Sequence, residues 1–305
     1  LIRIRRDAHE DGPGGVLLRG STFQEAAGSM AHEFGHALGL PDLFDREFTR
    51  LGRALDPGDD SAGIGSWGLM GLGARGWRDL GGPTPLCAWS LEKLGWIGVA
   101  NDKLVTLTAD LDDATLDDVS AGGMVYKLPT RDPTTYYLVE HRAKGSSYYE
   151  RDLPAEGILI WRVDLRQSSN DREESKLVDL VCADGLYKEA GFPLGTDASP
   201  QSGRDNLDFW AFDESYVSSR GGNTGDATDV FDGVRFTEFS AGTNPASLPG
   251  VSVVNIRRQG KAMVADLSLG DRRRAGVIDR DETWVDTVEV VGDIVVPAGT
   301  RLAIT

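Results

Sequence analysis

The chain has 305 residues, of which 40% are hydrophobic and 26% are charged, a balance that is typical of a globular protein. Its net charge of -16 argues against a nucleic-acid-binding protein, because phosphates require a basic surface. The sequence contains no run of about 18 apolar residues, so no membrane span is expected.

The first residues do not form a signal peptide. Residues 1–6 contain arginines, but no apolar segment and no cleavage site of small residues follow them. An initiator methionine is also missing, so we expect a fragment or mature piece whose true start lies upstream. The two cysteines, Cys87 and Cys182, are far apart in sequence and are predicted to be free, mostly buried thiols.

Residues 22–39 are predicted to form a helix. Thr22 is a suitable N-cap, and Glu25 follows it at the spacing of a capping box. Gly39 and Pro41 are expected to end the helix, because glycine allows a left-handed cap and proline cannot continue the helix. Apolar side chains recur at helical spacing at Ala26, Ala27, Met30, Phe34 and Leu38.

A glycine-rich stretch follows the helix. Residues 45–65 predict a loop, and residues 65–73 predict a tight turn bounded by glycines. Residues 85–94 predict a second helix, which is stopped by Gly95.

The pattern changes to β-strands beyond about residue 98. Turn residues separate the apolar β-rich runs, as expected for a β-sandwich; the runs are 105–108, 124–128, 136–140, 157–163, 251–256 and 264–269. A polar break begins at residue 271, and residues 288–304 alternate like new strands. We therefore predict an α+β protein with a partial catalytic domain at 1–97, a β-sandwich at 98–270, and a linker with the truncated start of a further β module at 271–305.

The segment that begins at His32 contains the residues with the clearest chemical meaning. His32 and His36 are four residues apart, so a helix places both imidazoles on one face, where they can bind a single Zn²⁺ ion. Glu33 projects beside that face and can act as the general base for a water molecule at the metal. The simpler interpretation is that the two histidines lie on an ordinary buried helix.

Gly39 is important for the third metal ligand. A sharp turn at this glycine would bring Asp42 back toward the histidines, and its carboxylate would complete three protein ligands. The fourth position would stay open for water or substrate, as a catalytic zinc site requires. Asp45 is the alternative third ligand.

Met70, in the tight turn at 65–73, is predicted to form an apolar floor beneath the metal. This prediction follows the metzincin pattern, in which a helical zinc motif is completed by a methionine turn. Met70 is not expected to be a metal ligand. The alternative is that Met70 is an ordinary core residue in a turn.

Together these residues resemble the immune inhibitor A family of secreted metallopeptidases. The resemblance covers roughly residues 20–260 and rests on the segments 32–45, 65–71, 85–96, 136–142, 157–164, 179–185 and 225–229. It implies zinc ligands at His32, His36 and Asp42, a catalytic Glu33, secretion, protein substrates and often structural calcium.

The sequence differs from the family pattern at two positions near the motif. Gly68 stands where an aspartate is usual, and Phe44 stands where a tyrosine is usual. Neither change removes a predicted ligand. The resemblance also implies a catalytic domain that begins before residue 1, so strands that form the upper rim of the cleft are expected upstream.

Other polar residues were considered as ligands. Asn223, Asp226 and Asp229 lie in a glycine-rich loop and are candidate calcium ligands, with a plain polar turn as the alternative. A second acidic loop contains Asp56, Asp59 and Asp60, and it has the same two interpretations. His141 is predicted to be structural and His9 to lie in a solvated terminus, while Trp67, Trp77, Trp89 and Trp96 are predicted to pack in the core or the cleft.

The sequence thus predicts a secreted, extracellular zinc endopeptidase that acts on protein or peptide substrates. A second hypothesis stays open at this stage. The chain could be a secreted β-sandwich binding or adhesion protein whose zinc site is vestigial.

Overall fold

The computed structural model describes residues 23–46, 61–77, 82–173, 175–185, 224–270, 273–278, 281–284 and 288–304. These residues form two α-helices and twelve strands arranged in four sheets. The α+β class predicted from the sequence is therefore confirmed. None of the described helices has the length and apolar character needed to cross a bilayer.

The two helices lie close to their predicted positions. Helix α1 comprises Phe23–Ala37 and helix α2 comprises Ala88–Leu94. The predicted N-cap, Thr22, and the side chain of Glu25 lie outside the described residues. Helix α2 ends at Gly95, which has a left-handed φ of 73° and donates its backbone N–H to Glu92.

The β-rich runs predicted from the sequence all form strands. These are β1 (Leu104–Thr106), β3 (Val125–Pro129), β4 (Thr135–Arg142), β5 (Gly157–Asp164), β7 (Ser252–Gln259) and β8 (Ala262–Ser268). Two further strands, β2 (Leu111–Leu116) and β6 (Val178–Leu180), were not predicted. Strand β2 contains two aspartates and is exposed over its first half, so its sequence lacks a continuous apolar run.

These eight strands form two sheets. The larger sheet has the strand order β1-β3-β4-β5-β6, and the smaller has the order β2-β8-β7. Strands β3, β4, β5 and β6 pair in antiparallel fashion, while β1 joins β3 in parallel.

Strands β4 and β5 are buried on both faces of the larger sheet, with adjacent residues pointing to opposite sides. Tyr136 and Leu138 pack into a first core, which also contains side chains from residues 40–97. Tyr137 and Val139 pack into a second core, which contains side chains of the smaller sheet. The larger sheet therefore connects the metal-motif region to the smaller sheet through its two faces.

The first core includes residues on both sides of position 97. It combines Trp67, Met70 and Trp89 with Leu159 and Trp161 of β5. The predicted boundary between residues 97 and 98 remains a prediction, and the packing continues across it. Cys87 is buried and Cys182 is half-buried, and no disulfide joins them, in agreement with the prediction.

Several large apolar side chains are exposed. In the apolar stripe that predicts α1, Phe34 is 61% exposed and Met30 and Leu38 are also exposed. Trp96 is 51% exposed, so it is not a core residue, whereas Trp67, Trp77 and Trp89 are buried as predicted.

The C-terminal residues form short strands in two separate parallel pairs. Strand β9 (Arg273–Val277) pairs with β11 (Glu289–Val295), and β10 (Glu282–Trp284) pairs with β12 (Leu302–Ile304). Strands β11 and β12 lie within the stretch 288–304, where new strands were predicted.

Candidate metal centre

Helix α1 packs through a face of small residues. Gly28 and Gly35 are seven residues apart and lie on the same side of the helix. A Cβ atom on Gly28 would lie 1.7 Å from the carbonyl oxygen of Ala74, and one on Gly35 would lie 2.5 Å from the sulfur of Met70. Both distances are far below a van der Waals contact, so these glycines let the helix approach the turn region at 65–75 closely.

This close approach fixes His32. Its Nδ1 donates a 2.8 Å hydrogen bond to the carbonyl oxygen of Leu69, which is 37 residues away in sequence. Its Nε2 lies 3.0 Å from Oδ1 of Asp42. The His32 side chain is buried, so the ring is held from both ends in a protected position.

His36 has the same arrangement one helical turn later. Its Nδ1 donates a 2.8 Å hydrogen bond to the carbonyl oxygen of Leu40, and its Nε2 lies 3.3 Å from Oδ1 of Asp42. The two imidazole rings meet edge to face, with centroids 4.8 Å apart. His36 is half-buried and therefore forms the side of the centre that solvent can reach.

The hydrogen bonds to the two carbonyl oxygens determine which nitrogens are free to bind a cation. A carbonyl can only accept a hydrogen bond, so Nδ1 carries the proton in both rings and Nε2 of a neutral ring presents a lone pair. Both Nε2 atoms and the carboxylate of Asp42 then direct electron pairs toward one point. Such an arrangement is stable only if a proton or a metal ion supplies positive charge there.

The pKa values of the metal-free residues reflect this requirement. The hydrogen bond to Asp42 raises the pKa of His36 to about 9, although burial acts in the opposite direction. Burial alone would raise the pKa of Asp42, but the hydrogen bonds and charges of the two histidines hold it below its ordinary value. Protons thus provide the positive charge that a bound metal would otherwise supply.

The spacing of the three donor atoms suits zinc. One ligand atom from each of His32, His36 and Asp42 lies within 4.8 Å of the other two. A tetrahedral zinc site with bonds of about 2.0–2.1 Å has edges of about 3.3 Å between ligand atoms. The 3.0 Å and 3.3 Å separations between Asp42 and the two rings are close to that value.

Asp42 reaches the centre through the bend at Gly39. Gly39 has a φ of 92°, a left-handed conformation that favours glycine. Its N–H donates to the carbonyl oxygen of His36, and the N–H of Leu40 donates to the carbonyl oxygen of Gly35. These two hydrogen bonds form a Schellman cap. Asp45 is also buried, but the cluster that could hold a metal ion contains Asp42 and not Asp45.

Glu33 lies beside His32 on α1 and is half-buried. Its charge contributes to the raised pKa of His36, so it acts on the edge of the centre rather than joining the cluster of ligand atoms. The role of general base therefore stays a prediction.

Met70 is fully buried and packs against α1 at Gly35, between the two histidines in sequence. Its carbonyl oxygen accepts a 2.8 Å hydrogen bond from the backbone N–H of Leu43, next to Asp42. The methionine and its turn therefore contact both the helix and the Asp42 segment. These contacts are compatible with the predicted apolar floor, which remains a prediction.

Gly68 occupies the turn position where the family usually has an aspartate. A Cβ atom there would lie 2.5 Å from Cδ1 of Ile64 and 3.4 Å from Cβ of Cys87. The space for a side chain is therefore already filled by apolar groups, and the turn is packed without the aspartate.

The turn is also tied to the β-rich region. The indole N–H of Trp67 donates a 2.5 Å hydrogen bond to Asp229, and Arg142 of β4 donates to the carbonyl oxygen of Trp67 at 3.4 Å. Arg142 is fully buried and forms a 2.6 Å ion pair with Glu150. Sequence reasoning did not identify these contacts, because they join residues that are far apart in the chain and follow no local pattern.

The candidate calcium ligands are only partly described. Asn223 and the acidic loop at Asp56, Asp59 and Asp60 lie outside the described residues. The backbone N–H of Asp226 donates a 2.8 Å hydrogen bond to Oδ2 of Asp229. The same oxygen also accepts the hydrogen bond from the indole N–H of Trp67. Protein donors therefore occupy one oxygen of Asp229, and the calcium prediction stays a prediction.

Of the two remaining histidines, only His141 lies among the described residues, and it is not part of the cluster. His141 lies in β4 and is buried, and burial lowers its pKa. Its structural role stays a prediction. His9 lies outside the described residues.

Comparison with known proteins gives one family match. Residues 21–96 match the family model described as the immune inhibitor A peptidase M6 catalytic domain. Neither the curated proteins nor the solved structures gave a match. The matched stretch contains α1, the bend, the turn and α2. It supports the family resemblance seen in the sequence: residues 21–96 are similar to the catalytic domain of the immune inhibitor A-like metallopeptidases.

Proposed function

We propose that this chain carries the zinc centre of a secreted endopeptidase that hydrolyses peptide bonds in proteins. One observation supports the proposal most strongly. Nε2 of His32, Nε2 of His36 and Oδ1 of Asp42 converge at separations suited to tetrahedral zinc, while both Nδ1 atoms donate to backbone carbonyls.

Each residue has a defined role in this proposal. His32, His36 and Asp42 hold the metal, and the carbonyl oxygens of Leu69 and Leu40 orient the two rings. When bound, zinc would acidify a water molecule and polarise the scissile carbonyl group. A carboxylate oxygen of Glu33 accepts a proton from the attacking water and later donates it to the nitrogen of the leaving amine.

The location of the centre is compatible with a large substrate. His36 and Glu33 are half-buried, so solvent reaches part of both side chains. Secretion is part of the proposal because of the family match, and the structural calcium of the resemblance stays a prediction.

The experiment that tests this function is the substitution Glu33→Gln. The amide has the same shape as the carboxylate but cannot accept the proton, so casein cleavage by the zinc-loaded protein should fall by about 10²–10⁴-fold. The zinc content should not change, because Glu33 is not a ligand in this proposal. The matched control is Glu156→Gln, which alters an exposed carboxylate paired with Arg258 and should leave cleavage unchanged.

Two results would contradict the proposal. Full cleavage by Glu33→Gln would exclude the assigned role of Glu33. Stoichiometric zinc binding without chelator-sensitive cleavage by the native chain would instead support the binding-module hypothesis.

A further inference from the structure

The position of Asp42 depends on the backbone beyond the helix. Leu43, the next residue, is fully buried. Its N–H donates to the carbonyl oxygen of Met70 at 2.8 Å, and its own carbonyl oxygen accepts from the N–H of Ile64 at 3.0 Å. The peptide groups beside Asp42 are thus fixed by the turn region rather than by the helix.

A second set of contacts to this backbone comes from the loop between β5 and β6. Asn170 is fully buried, and its amide nitrogen donates to the carbonyl oxygen of Leu43 at 3.3 Å. The same side chain donates to the carbonyl oxygen of Val178 at 2.7 Å and accepts from the N–H of Val178 at 3.1 Å. Because Val178 holds both ends of the amide, Asn170 is a rigid contact for the peptide group that follows Leu43.

The same loop also forms hydrogen bonds with the neighbouring segment at residues 61–64. Nζ of Lys176 donates to the carbonyl oxygen of Gly63 at 3.2 Å and forms a 2.6 Å ion pair with Glu173. Glu173 in turn accepts a 2.6 Å hydrogen bond from the hydroxyl of Ser61. Lys176, Glu173 and Ser61 are all buried, so water does not compete with these contacts.

Gly63 links these contacts to the backbone of Leu43. Its φ of 65° and its packing allow the two backbones to touch, since a Cβ atom on Gly63 would lie 1.6 Å from the carbonyl oxygen of Leu43. The β5–β6 loop therefore holds the Asp42 segment directly through Asn170 and indirectly through Gly63.

We propose that the β5–β6 loop positions the metal centre, with Asn170 as the positioning residue for Asp42 and Lys176 as its support. The proposal rests on the proposed function, because it takes Asp42 as a metal ligand. Asn170 keeps the Asp42 segment in its binding geometry before the metal arrives, so binding does not have to order this segment. The downstream β-rich region is then required for metal affinity as well as for stability.

The test compares Asn170→Ala with Tyr137→Phe in the full chain. Asn170→Ala removes the contact to Leu43 together with both hydrogen bonds to Val178. Tyr137→Phe removes a hydrogen bond of similar kind in the second core, where the phenolic oxygen accepts the N–H of Leu248 at 3.0 Å. The measurements are the zinc Kd by competition with a chelating dye, the visible spectrum of the cobalt-substituted protein, and the Tm of the metal-free protein.

Asn170→Ala should weaken zinc binding by about tenfold, at the lower end of the range for outer-shell partners of metal ligands. It should also change the cobalt spectrum. Tyr137→Phe should lower the Tm by less, because it removes one hydrogen bond rather than three, and it should leave both metal readouts unchanged. If Asn170→Ala does not fold, Ser61→Ala is the second variant. It removes the hydrogen bond from Ser61 to Glu173 of the loop, which is farther from Asp42, and it should also weaken zinc binding.

An unchanged zinc Kd and cobalt spectrum in the folded loop variant would overturn the inference and leave the proposed function intact. An equal loss of affinity in Tyr137→Phe would also overturn it, because general destabilisation would then explain the effect. A native chain that binds no zinc would contradict the proposed function itself.

Discussion

The two cores of the protein are built differently, although they share the larger sheet. The first core lies next to the metal centre and is bordered by buried charges, among them Arg142, Glu140 and Lys176. The second core lies between the two sheets and is filled by aliphatic and aromatic side chains such as Ile160 and Phe239. Both cores bury apolar side chains, and the first core is in addition bordered by buried charges.

This difference indicates how stability and function are divided. Burial of a large aliphatic side chain stabilises the fold by about 1.5–3 kcal/mol. An apolar core also tolerates small changes in the shape of such a side chain. A buried ion pair contributes less net stability, but removal of one partner leaves an unpaired charge at high cost. We therefore expect substitutions beside the first core to affect the metal centre and substitutions in the second core to affect stability alone.

The largest effect is expected for Arg142→Met. The substitution leaves Glu150 and Glu140 buried without their cation, and it should lower the free energy of unfolding by about 3–5 kcal/mol. Urea unfolding of the metal-free protein measures the change. The matched control is Arg257→Met, whose exposed guanidinium pairs with Asp113 and should contribute less than about 1 kcal/mol. Equal effects of the two substitutions would remove the distinction between the regions.

A smaller effect of opposite sign is expected for Asp229→Asn. Burial raises the pKa of Asp229 from 3.8 to about 7, so the folded protein keeps a proton that the unfolded chain releases. The stability from this proton is present below the unfolded pKa and is lost as the pH rises through the folded pKa. Asparagine keeps an acceptor for Trp67 without this titration, so the variant should be more stable at pH 8 by on the order of 2 kcal/mol.

Urea unfolding in metal-free buffer at pH 5 and pH 8 tests this prediction. The native chain should lose more stability between the two pH values than Asp229→Asn. The same pH dependence in both proteins would show that Asp229 is ionised in the fold throughout this range.

The smallest effect is expected for Ile160→Val in the second core. Removal of one buried methyl group should lower the free energy of unfolding by about 0.5–1.5 kcal/mol. Zinc affinity should stay unchanged, since Ile160 faces away from the first core. A tenfold change in the zinc Kd would instead mean that the second core also controls the metal centre.

Much of the candidate site could be predicted from the sequence because it is local. His32, His36 and Asp42 lie within eleven residues, and helix periodicity with a glycine bend determines their arrangement. The apolar runs of β4 and β5 were equally clear, since strands buried on both faces need such side chains.

The supporting contacts could not be predicted, because they depend on pairs that are distant in sequence. Lys176 and Gly63 are 113 residues apart, and His32 reaches a backbone carbonyl at Leu69 that no side-chain pattern marks. The exposed stripe at Phe34 shows a related limit. Periodicity identified the helix correctly, but packing at Gly28 and Gly35 determined which face is buried.

The central claim is that His32, His36 and Asp42 bind one zinc ion. Anomalous scattering at the zinc edge from a crystal of this chain tests it most directly. The predicted result is a single strong peak about 2.0–2.2 Å from both Nε2 atoms and from the Asp42 carboxylate. A zinc-soaked crystal with no peak at that point, or with the Asp42 side chain turned away from both rings, would contradict the account.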